Sequence, residues 1–278
     1  MEWPPSRRVR VSRAAITLAA VAFGFSSLAC AAVYPEIVTK TNPVIEGQVL
    51  DPPPPSDIHW IRFLSARIPQ TTRDGRKWDK LGGTLPDVYA RLLINDKEVL
   101  RTPVQADTLE PTWKDGPRGN FLVQSSDRLR VEVWDANAVV DEPVGVKEIG
   151  YPSAESVMGG QIRVTFDGGG EVVLAYEAAH ALYGLGLAFE LRSESAYVTR
   201  VIAESPAARA NLEKGDQILS VGGRDVKGME ADEVRSAMNA VPSGGLDLLV
   251  KHKDGTTLQV NVGEGPIYAT MAEHGPIP

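Results

Sequence analysis

The stretch Gly184-Leu185-Gly186-Leu187 is followed, at a domain-sized distance, by the sequence SPAARANLEKGDQIL at residues 205–219. The two glycines permit backbone conformations that residues with a Cβ rarely adopt, so successive N–H groups can point at one spot and bind a carboxylate. Leu185 and Leu187 would then line a pocket for an apolar side chain. A tight turn before a strand is the alternative interpretation of the same residues.

The second stretch predicts a short helix. Ser205 is a favourable N-cap, Pro206 suits the first helical position, and Gly215 ends the segment where left-handed backbone is needed. A second helix with an apolar inner face is predicted over residues 229–240. Strands are predicted at residues 187–191, 197–202, 217–221, 246–251 and 257–262, with a hairpin turn at Lys253-Asp254-Gly255.

This order of elements resembles a PDZ domain, a peptide-binding module, over residues 179–265. The resemblance implies that a peptide adds one strand antiparallel to the strand containing Leu187 and Phe189, beside the second helix. It also implies that residues 184–187 capture the terminal carboxylate of that peptide.

Two residues of the second helix complete the implied groove. Glu230, at its start, is expected to face the ligand residue two positions before the end, where it would disfavour an acidic residue. Val234, one turn later, is expected to help close the apolar pocket. For Glu230, an ordinary solvated helix charge is the alternative.

Strand-like runs also precede this region and predict a separate sandwich of two antiparallel sheets over residues 58–178. Turn signals such as Asn95-Asp96 and Gly168-Gly169-Gly170 separate the runs at a spacing typical of sandwiches. The runs cover residues 59–65, 88–94, 99–104, 120–124, 128–134, 144–150, 161–166 and 171–176.

Three strings in this region resemble the signatures of C2 domains, in the order that the family has them. They are LPDVYARL at residues 85–92, TLEPTW at residues 108–113 and DRLRVEVWD at residues 127–135. Three matches in register are hard to obtain by chance. The predicted fold is therefore mainly β: a C2-like eight-stranded antiparallel β-sandwich, followed by a PDZ domain that is a small β-barrel capped by two helices.

The C2 resemblance implies a Ca²⁺ site, because calcium-binding members supply aspartates from two loops at one end of the sandwich. Ca²⁺ accepts six to eight oxygen ligands on flexible loops. Asn137 stands where an aspartate is expected, and loop acids that are simply solvated are the alternative. Carried over by position, the candidate ligands are Asp79, Asp87, Asp135, Asn137 and Asp141, with Asp74 as a substitute for Asp79 and Glu142 beside the later loop.

The amino terminus has the features of a secretory signal peptide over residues 1–30. Arginines precede an uncharged stretch at residues 14–35, and small residues follow it. Cys30, the only cysteine, sits where a bacterial lipoprotein leader places the acylated residue. Cleavage after Ala31 and an uncleaved membrane anchor are the alternatives.

The segments between and after the domains are predicted to be extended. Residues 31–57 include Pro52-Pro53-Pro54-Pro55 and predict a semi-rigid proline-rich linker. Residues 266–278 are expected to form a flexible tail. The formal charge of the chain is −7, and no basic cluster occurs after the leader, which argues against nucleic acid as a partner.

Catalytic constellations are absent from the sequence, so the chain is not expected to be an enzyme. The 4 histidines are isolated, with no pair at zinc-ligand spacing, and no nucleophile elbow occurs. His180, just before the glycine turn, is more simply structural than catalytic.

The expected function is that of an exported, membrane-tethered adaptor of the periplasm or cell envelope, anchored to the outer membrane by a lipid on Cys30. Its PDZ domain would bind the C-terminus or an exposed strand of an envelope protein, and the C2-like domain would add a calcium-dependent or lipid contact. The alternatives are a calcium- and lipid-binding scaffold with an occluded PDZ groove, and a non-catalytic regulatory subunit of an envelope protease.

Overall fold

The computed structural model describes residues 32–34, 36–40, 49–78 and 85–277. The predicted signal peptide with Cys30, the candidate ligand Asp79 and residues 41–48 of the predicted linker lie outside these ranges. Two short strands come first, β1 (Ala32–Tyr34) and β2 (Thr39–Lys40). Among the described residues, no helix has the length and apolar character needed to cross a bilayer.

A sandwich of two four-stranded antiparallel sheets follows, as the alternating runs predict. Its strands are β3 (Ile58–Arg67), β4 (Val88–Ile94), β5 (Lys97–Arg101), β6 (Arg118–Leu122), β7 (Leu129–Asp135), β8 (Glu142–Ile149), β9 (Gln161–Thr165) and β10 (Glu171–Ala178), with the short helix α1 (Ala154–Met158) between β8 and β9. One sheet has the order β6-β3-β10-β9 and the other β5-β4-β7-β8. Alternate residues of β7, such as Val131 and Val133, are fully buried against the facing sheet, which contributes Ile61 and Phe63.

The carboxy-terminal half contains the predicted order of strands and helices. Its elements are β11 (Leu182–Gly184), β12 (Leu187–Arg192), β13 (Ser195–Val201), α2 (Pro206–Arg209), β14 (Gln217–Val221), β15 (Arg224–Asp225), a 3₁₀ turn (Val226–Gly228), α3 (Ala231–Asn239), β16 (Leu246–Lys251), β17 (Thr257–Val262) and β18 (Gly265–Ile267). Ser205 caps α2 by accepting a hydrogen bond from the Ala208 N–H, and Pro206 is the first helical residue. Strands β12, β13, β14, β16 and β17 lie side by side in one antiparallel sheet.

The linker prediction for residues 31–57 is wrong for residues 32–34 and 36–40, which pack on this second sheet. Strand β1 pairs with β12, and β2 pairs with β11. The side chains of Tyr34, Ile37 and Val38 are buried. Burying a large apolar side chain stabilises a fold by about 1.5–3 kcal/mol, so this segment gains more by packing than by remaining extended in water.

The flexible-tail prediction for residues 266–278 is also wrong for residues 266–277. Strand β18 pairs with β11, and Ile267, Tyr268, Ala269 and Ile277 are buried. These buried side chains hold the tail against the sheets, and its backbone forms hydrogen bonds such as that from the Met271 N–H to the Asn120 carbonyl at 2.6 Å.

The tail and the sandwich are joined through Asn120, which is fully buried. Its side-chain nitrogen donates to the carbonyls of His180 at 2.8 Å and Ala269 at 3.0 Å, and its oxygen accepts from the His180 N–H at 2.9 Å. Trp60 stacks on His180 with ring centroids 4.2 Å apart. These contacts satisfy every polar group of the Asn120 amide and fix the sandwich against the second sheet.

Candidate functional site

The candidate groove lies between β12 and α3. Leu185, Leu187 and Phe189 are buried on one side, and Val234 of α3 is buried on the other. All four side chains belong to one apolar cluster, together with Met238 of α3. The structure therefore brings together the residues that the sequence assigns to the walls of the groove, except Glu230.

The chain's own amino-terminal segment fills this groove. Strand β1 runs antiparallel to β12, with Tyr34 opposite Phe189 and Ala32 opposite Leu191. In an unbroken ladder Glu36 would lie opposite Leu187; instead Val38 donates its N–H to the Leu187 carbonyl at 2.8 Å, so the segment bulges after Tyr34.

Val38 stands at the position where a terminal residue of a peptide was expected. Its carbonyl oxygen accepts the N–H of Leu185 at 3.2 Å, as one oxygen of a carboxylate would. The chain then continues, and β2 places Thr39 opposite Gly184 and Lys40 opposite Tyr183. The amide that the sequence assigns to anion capture is thus bonded within the protein.

The side chains of the segment contact both walls. The Tyr34 ring packs on Phe189 with centroids 4.8 Å apart, and the Arg235 guanidinium of α3 lies 5.4 Å from the centre of the same ring. Arg235 also pairs with the Glu36 carboxylate. Burial raises the pKa of Tyr34, and the nearby charge of Asp232 adds to this effect.

Two further apolar side chains anchor the segment on opposite sides of its backbone. Val38 enters the apolar cluster behind β12. Ile37 joins a separate small cluster with Ile202, Ile267 and Ala269. A cavity of only about 160 Å³ remains in the groove, lined by Tyr34, Ile37, Phe189, Arg235, Asn239 and His274 among others.

The glycines of the turn have separate roles. A Cβ on Gly184 would lie 2.4 Å from the Val38 carbonyl oxygen and 2.8 Å from the Thr39 Cα, so this residue lets the amino-terminal segment approach the turn. Gly186 has a φ of +79°, and a Cβ there would lie 2.2 Å from the Ser205 Cβ. Gly186 therefore serves the contact between the turn and α2.

The candidate calcium ligands of the sandwich are near one another but bond to their own protein. Asp87 Oδ1 accepts the Asp107 N–H at 2.8 Å, and the buried Asp135 accepts the Asp87 N–H through Oδ1 at 2.8 Å. Asp141 accepts the Asn137 N–H at 3.0 Å and the Tyr89 hydroxyl at 2.8 Å, and these bonds lower the pKa of Asp141.

Arg76 supplies positive charge at the same end of the sandwich. It bonds to Asp74 at 2.6 Å and lies 3.9 Å from Glu142. Hydrogen bonds from Thr72 and Arg76 lower the pKa of Asp74 to about 2. Trp78 is buried and donates to the Pro69 carbonyl at 2.8 Å, so it packs beneath its loop.

The described candidate ligands are hydrogen-bonded within the protein and are not gathered around one metal position. No group of three potential metal-ligating His, Cys, Asp or Glu side chains occurs among them. Ca²⁺ needs six or more oxygens, and the carboxylates of Asp87, Asp135 and Asp141 each already accept hydrogen bonds from the protein.

Two family models match the chain, one in each half. Residues 67–164 match the C2 domain model, and residues 175–251 match the PDZ domain model. The chain carries a C2 domain followed by a PDZ domain. This is the order that the sequence motifs predict.

Solved structures are similar to the chain at low sequence identity. A structure described as "Structure of a C2 domain" is 20% identical, covers 43% of this chain and 96% of its own, and has a TM-score of 0.34. The calcium-bound pair of C2 domains of Extended-Synaptotagmin 2 is 19% identical over 46% of this chain and 48% of its own, with a TM-score of 0.34. Human GIVD cytosolic phospholipase A2 is 19% identical over 51% of this chain and 17% of its own, with a TM-score of 0.32. A comparison with curated proteins found no match.

The expectation that Glu230 of the PDZ domain faces the ligand is corrected by the structure. Glu230 is the exposed N-cap of α3 and forms a capping box with Glu233, whose carboxylate accepts the Glu230 N–H at 3.0 Å. The α3 residue that meets the groove's occupant is Arg235. Sequence reasoning also missed Tyr34 and Val38; the β-branched and aromatic character of residues 33–39 was the available signal.

We expect calcium to leave the melting temperature of the protein unchanged. A ligand that binds only the folded state must raise this temperature, and the test compares ~5 mM calcium with excess chelator. Asp135→Ala should destabilise the fold by about 1–3 kcal/mol equally in both buffers, because it leaves the Asp87 N–H unpaired. A rise in melting temperature with calcium that Asp135→Ala abolishes would establish a metal site.

Gly184→Ala should expel the amino-terminal segment from the groove, because the new Cβ would collide with the backbone of Val38 and Thr39. We expect a loss of ~2 kcal/mol in unfolding free energy and rapid tryptic cleavage after Lys40, read by mass spectrometry. The control is Gly228→Ala, since a Cβ on Gly228 meets no atom within 4 Å. Equal cleavage rates in the two variants would contradict this role of Gly184.

Proposed function

We propose that this chain is a non-catalytic adaptor whose PDZ groove is its partner-binding site, and that residues 32–34 and 36–40 occupy the groove until a partner strand replaces them. The observation that supports the proposal is the hydrogen bonding of Val38 to Leu185 and Leu187, together with the β1–β12 pairing. A strand added at the edge of a sheet is a recognised way for such a groove to hold a peptide. In this proposal a partner strand forms the same hydrogen bonds to Leu185 and Leu187 as the occupant does.

Because the occupant is part of the same chain, a partner must compete with it for the groove, which weakens the apparent affinity for the partner. Intramolecular strands act at effective concentrations near the millimolar range. A closed state favoured by about 3 kcal/mol would weaken the apparent affinity for an external strand by roughly 100-fold. The adaptor would therefore respond to partners that are abundant, multivalent or held close to it.

The C2 domain supplies the second contact in this proposal. Val139 and Val140, in the loop between β7 and β8, expose 92% and 71% of their surface. Exposed apolar side chains at a loop tip favour contact with a lipid surface. Since the described acids of these loops bond within the protein, we assign this contact to lipid without a bound metal.

Export and membrane tethering through Cys30 belong to the same proposal. Strand β1 begins two residues after Cys30, so a lipid on that residue would hold the closed PDZ domain at the membrane surface. Displacement of the strand would release the chain between Cys30 and Val49, a length that can extend to roughly 60 Å. Partner binding and distance from the membrane would then be coupled.

Three of the 4 histidines have contacts that are consistent with the proposed non-catalytic function. His59 bonds to the Tyr151 hydroxyl at 3.1 Å, and burial lowers the pKa of its ring. His252 pairs with the buried Asp216 carboxylate, which raises the pKa of His252. His180 stacks on Trp60.

The test is binding of a fluorescent peptide of residues 31–41, blocked at both ends, to a released variant of the full chain. Tyr34→Ala with Val38→Asp removes two of the three buried anchors without altering a groove wall. We expect this variant to bind the peptide saturably, and the unmodified chain to bind roughly 100-fold more weakly. Val49→Asp is the matched control, because Val49 is 93% exposed, and it should behave as the unmodified chain.

One measurement and one further variant distinguish a loss of binding from misfolding. Near-ultraviolet circular dichroism reports whether the released variant retains its packing, and Glu36→Arg offers a milder release by opposing Arg235. A folded released variant that binds no peptide would contradict the adaptor and support a permanently occluded scaffold.

A further inference from the structure

We infer that the groove selects an internal strand of its partner, with an aromatic residue, an acidic residue two positions later, and two aliphatic residues directly after that. This inference rests on the proposed function and names the partner chemistry. The aromatic, acidic and two aliphatic residues of this motif correspond to Tyr34, Glu36, Ile37 and Val38 of the present occupant.

The preference for an internal strand follows from what lies beyond Val38. The occupant does not end there but continues as β2, which pairs with β11. Gly184 of β11 is buried, so a ligand that ended at the Val38 position would leave backbone groups of this edge without a partner. Buried unpaired backbone groups are unfavourable, and a continuing strand satisfies them.

The aromatic preference follows from the sandwiching of Tyr34. Its ring has Phe189 on β12 beside it and the Arg235 guanidinium over it. Only 9% of Tyr34 is exposed. The tilted ring–ring contact and the cation–π contact both require an aromatic ring, which no aliphatic side chain can replace.

The acidic preference follows from the charge of α3 at this point. Arg235 pairs with Glu36, and a basic ligand residue would face the guanidinium instead. Both partners are about half exposed, so the pair adds selectivity more than affinity. This preference is the reverse of the one that Glu230 would impose.

The preference for two consecutive aliphatic residues follows from two pockets on opposite sides of the strand. Val38 enters the PDZ core, whereas Ile37 enters the cluster built by Ile202, Ile267 and Ala269. The second pocket depends on the carboxy-terminal residues after β17. The specificity therefore uses parts of the chain outside the matched PDZ segment, residues 175–251.

The test uses the released variant with four peptides. They are the blocked peptide of residues 31–41, the peptide of residues 31–38 with a free carboxylate, and the blocked peptide carrying either Glu36→Lys or Tyr34→Ala. We expect the blocked peptide to bind at least ~10-fold more tightly than the carboxylate peptide, because two ladder residues are lost. Glu36→Lys should weaken binding about fivefold, and Tyr34→Ala more than roughly tenfold.

A charge reversal on α3 tests whether Arg235 causes the preference for an acidic ligand residue. In the released variant, Arg235→Glu should reverse the preference, so that the Glu36→Lys peptide binds more tightly than the original one. Lys214→Glu makes the same change in net charge at an exposed PDZ position and should leave the preference unaltered.

The outcomes separate this inference from the proposed function. Tight binding of the carboxylate peptide, with little or none of the blocked peptide, would overturn the internal-strand inference and preserve the adaptor. Equal affinity for the Glu36→Lys peptide would overturn the acidic preference. Failure of every peptide would overturn both.

Discussion

The closed state of the PDZ groove depends on the edge of β12 being covered by the chain itself. An uncovered edge strand presents a row of unpaired N–H and C=O groups, and here it would also expose an apolar groove beside α3. The chain covers this edge with its own residues 32–34 and 36–40, held by the hydrogen bonds of Val38 at the glycine turn. Gly184 makes this approach possible because it has no Cβ.

The closing segment is held by both ends of the chain. Ile37 packs on Ile267 and Ala269, which belong to the carboxy-terminal residues. The same residues reach the C2 domain, because Ala269 accepts a hydrogen bond from the buried Asn120. Groove, tail and sandwich therefore form one connected set of contacts, and loosening the tail would weaken the pocket that receives Ile37.

Local sequence signals predicted most of the fold. The eight sandwich strands follow from period-two alternation and glycine or asparagine turns, and α2 follows from Ser205 and Pro206. The predicted second helix was also correct, with boundaries displaced by one or two residues. These features depend on residues that are close together in the sequence, so they can be predicted from the sequence alone.

The closing strand and the charge of the groove could not be predicted in the same way. Contact between Tyr34 and Phe189 joins residues far apart in sequence, and the prolines around residues 32–57 indicate a linker. To predict whether Glu230 faces the groove, the first residue of α3 must be known to within one residue. The capping box with Glu233 puts Glu230 outside the helix, so that Arg235 meets the occupant instead.

Amide hydrogen exchange at Val38 and Leu185 tests the central claim most directly. Val38 donates to Leu187 and Leu185 donates to Val38, so both amides should be strongly protected in the intact chain and should lose protection together when the segment is released. Exchange at Val38 as fast as in an unstructured peptide, in an otherwise protected PDZ domain, would contradict the account.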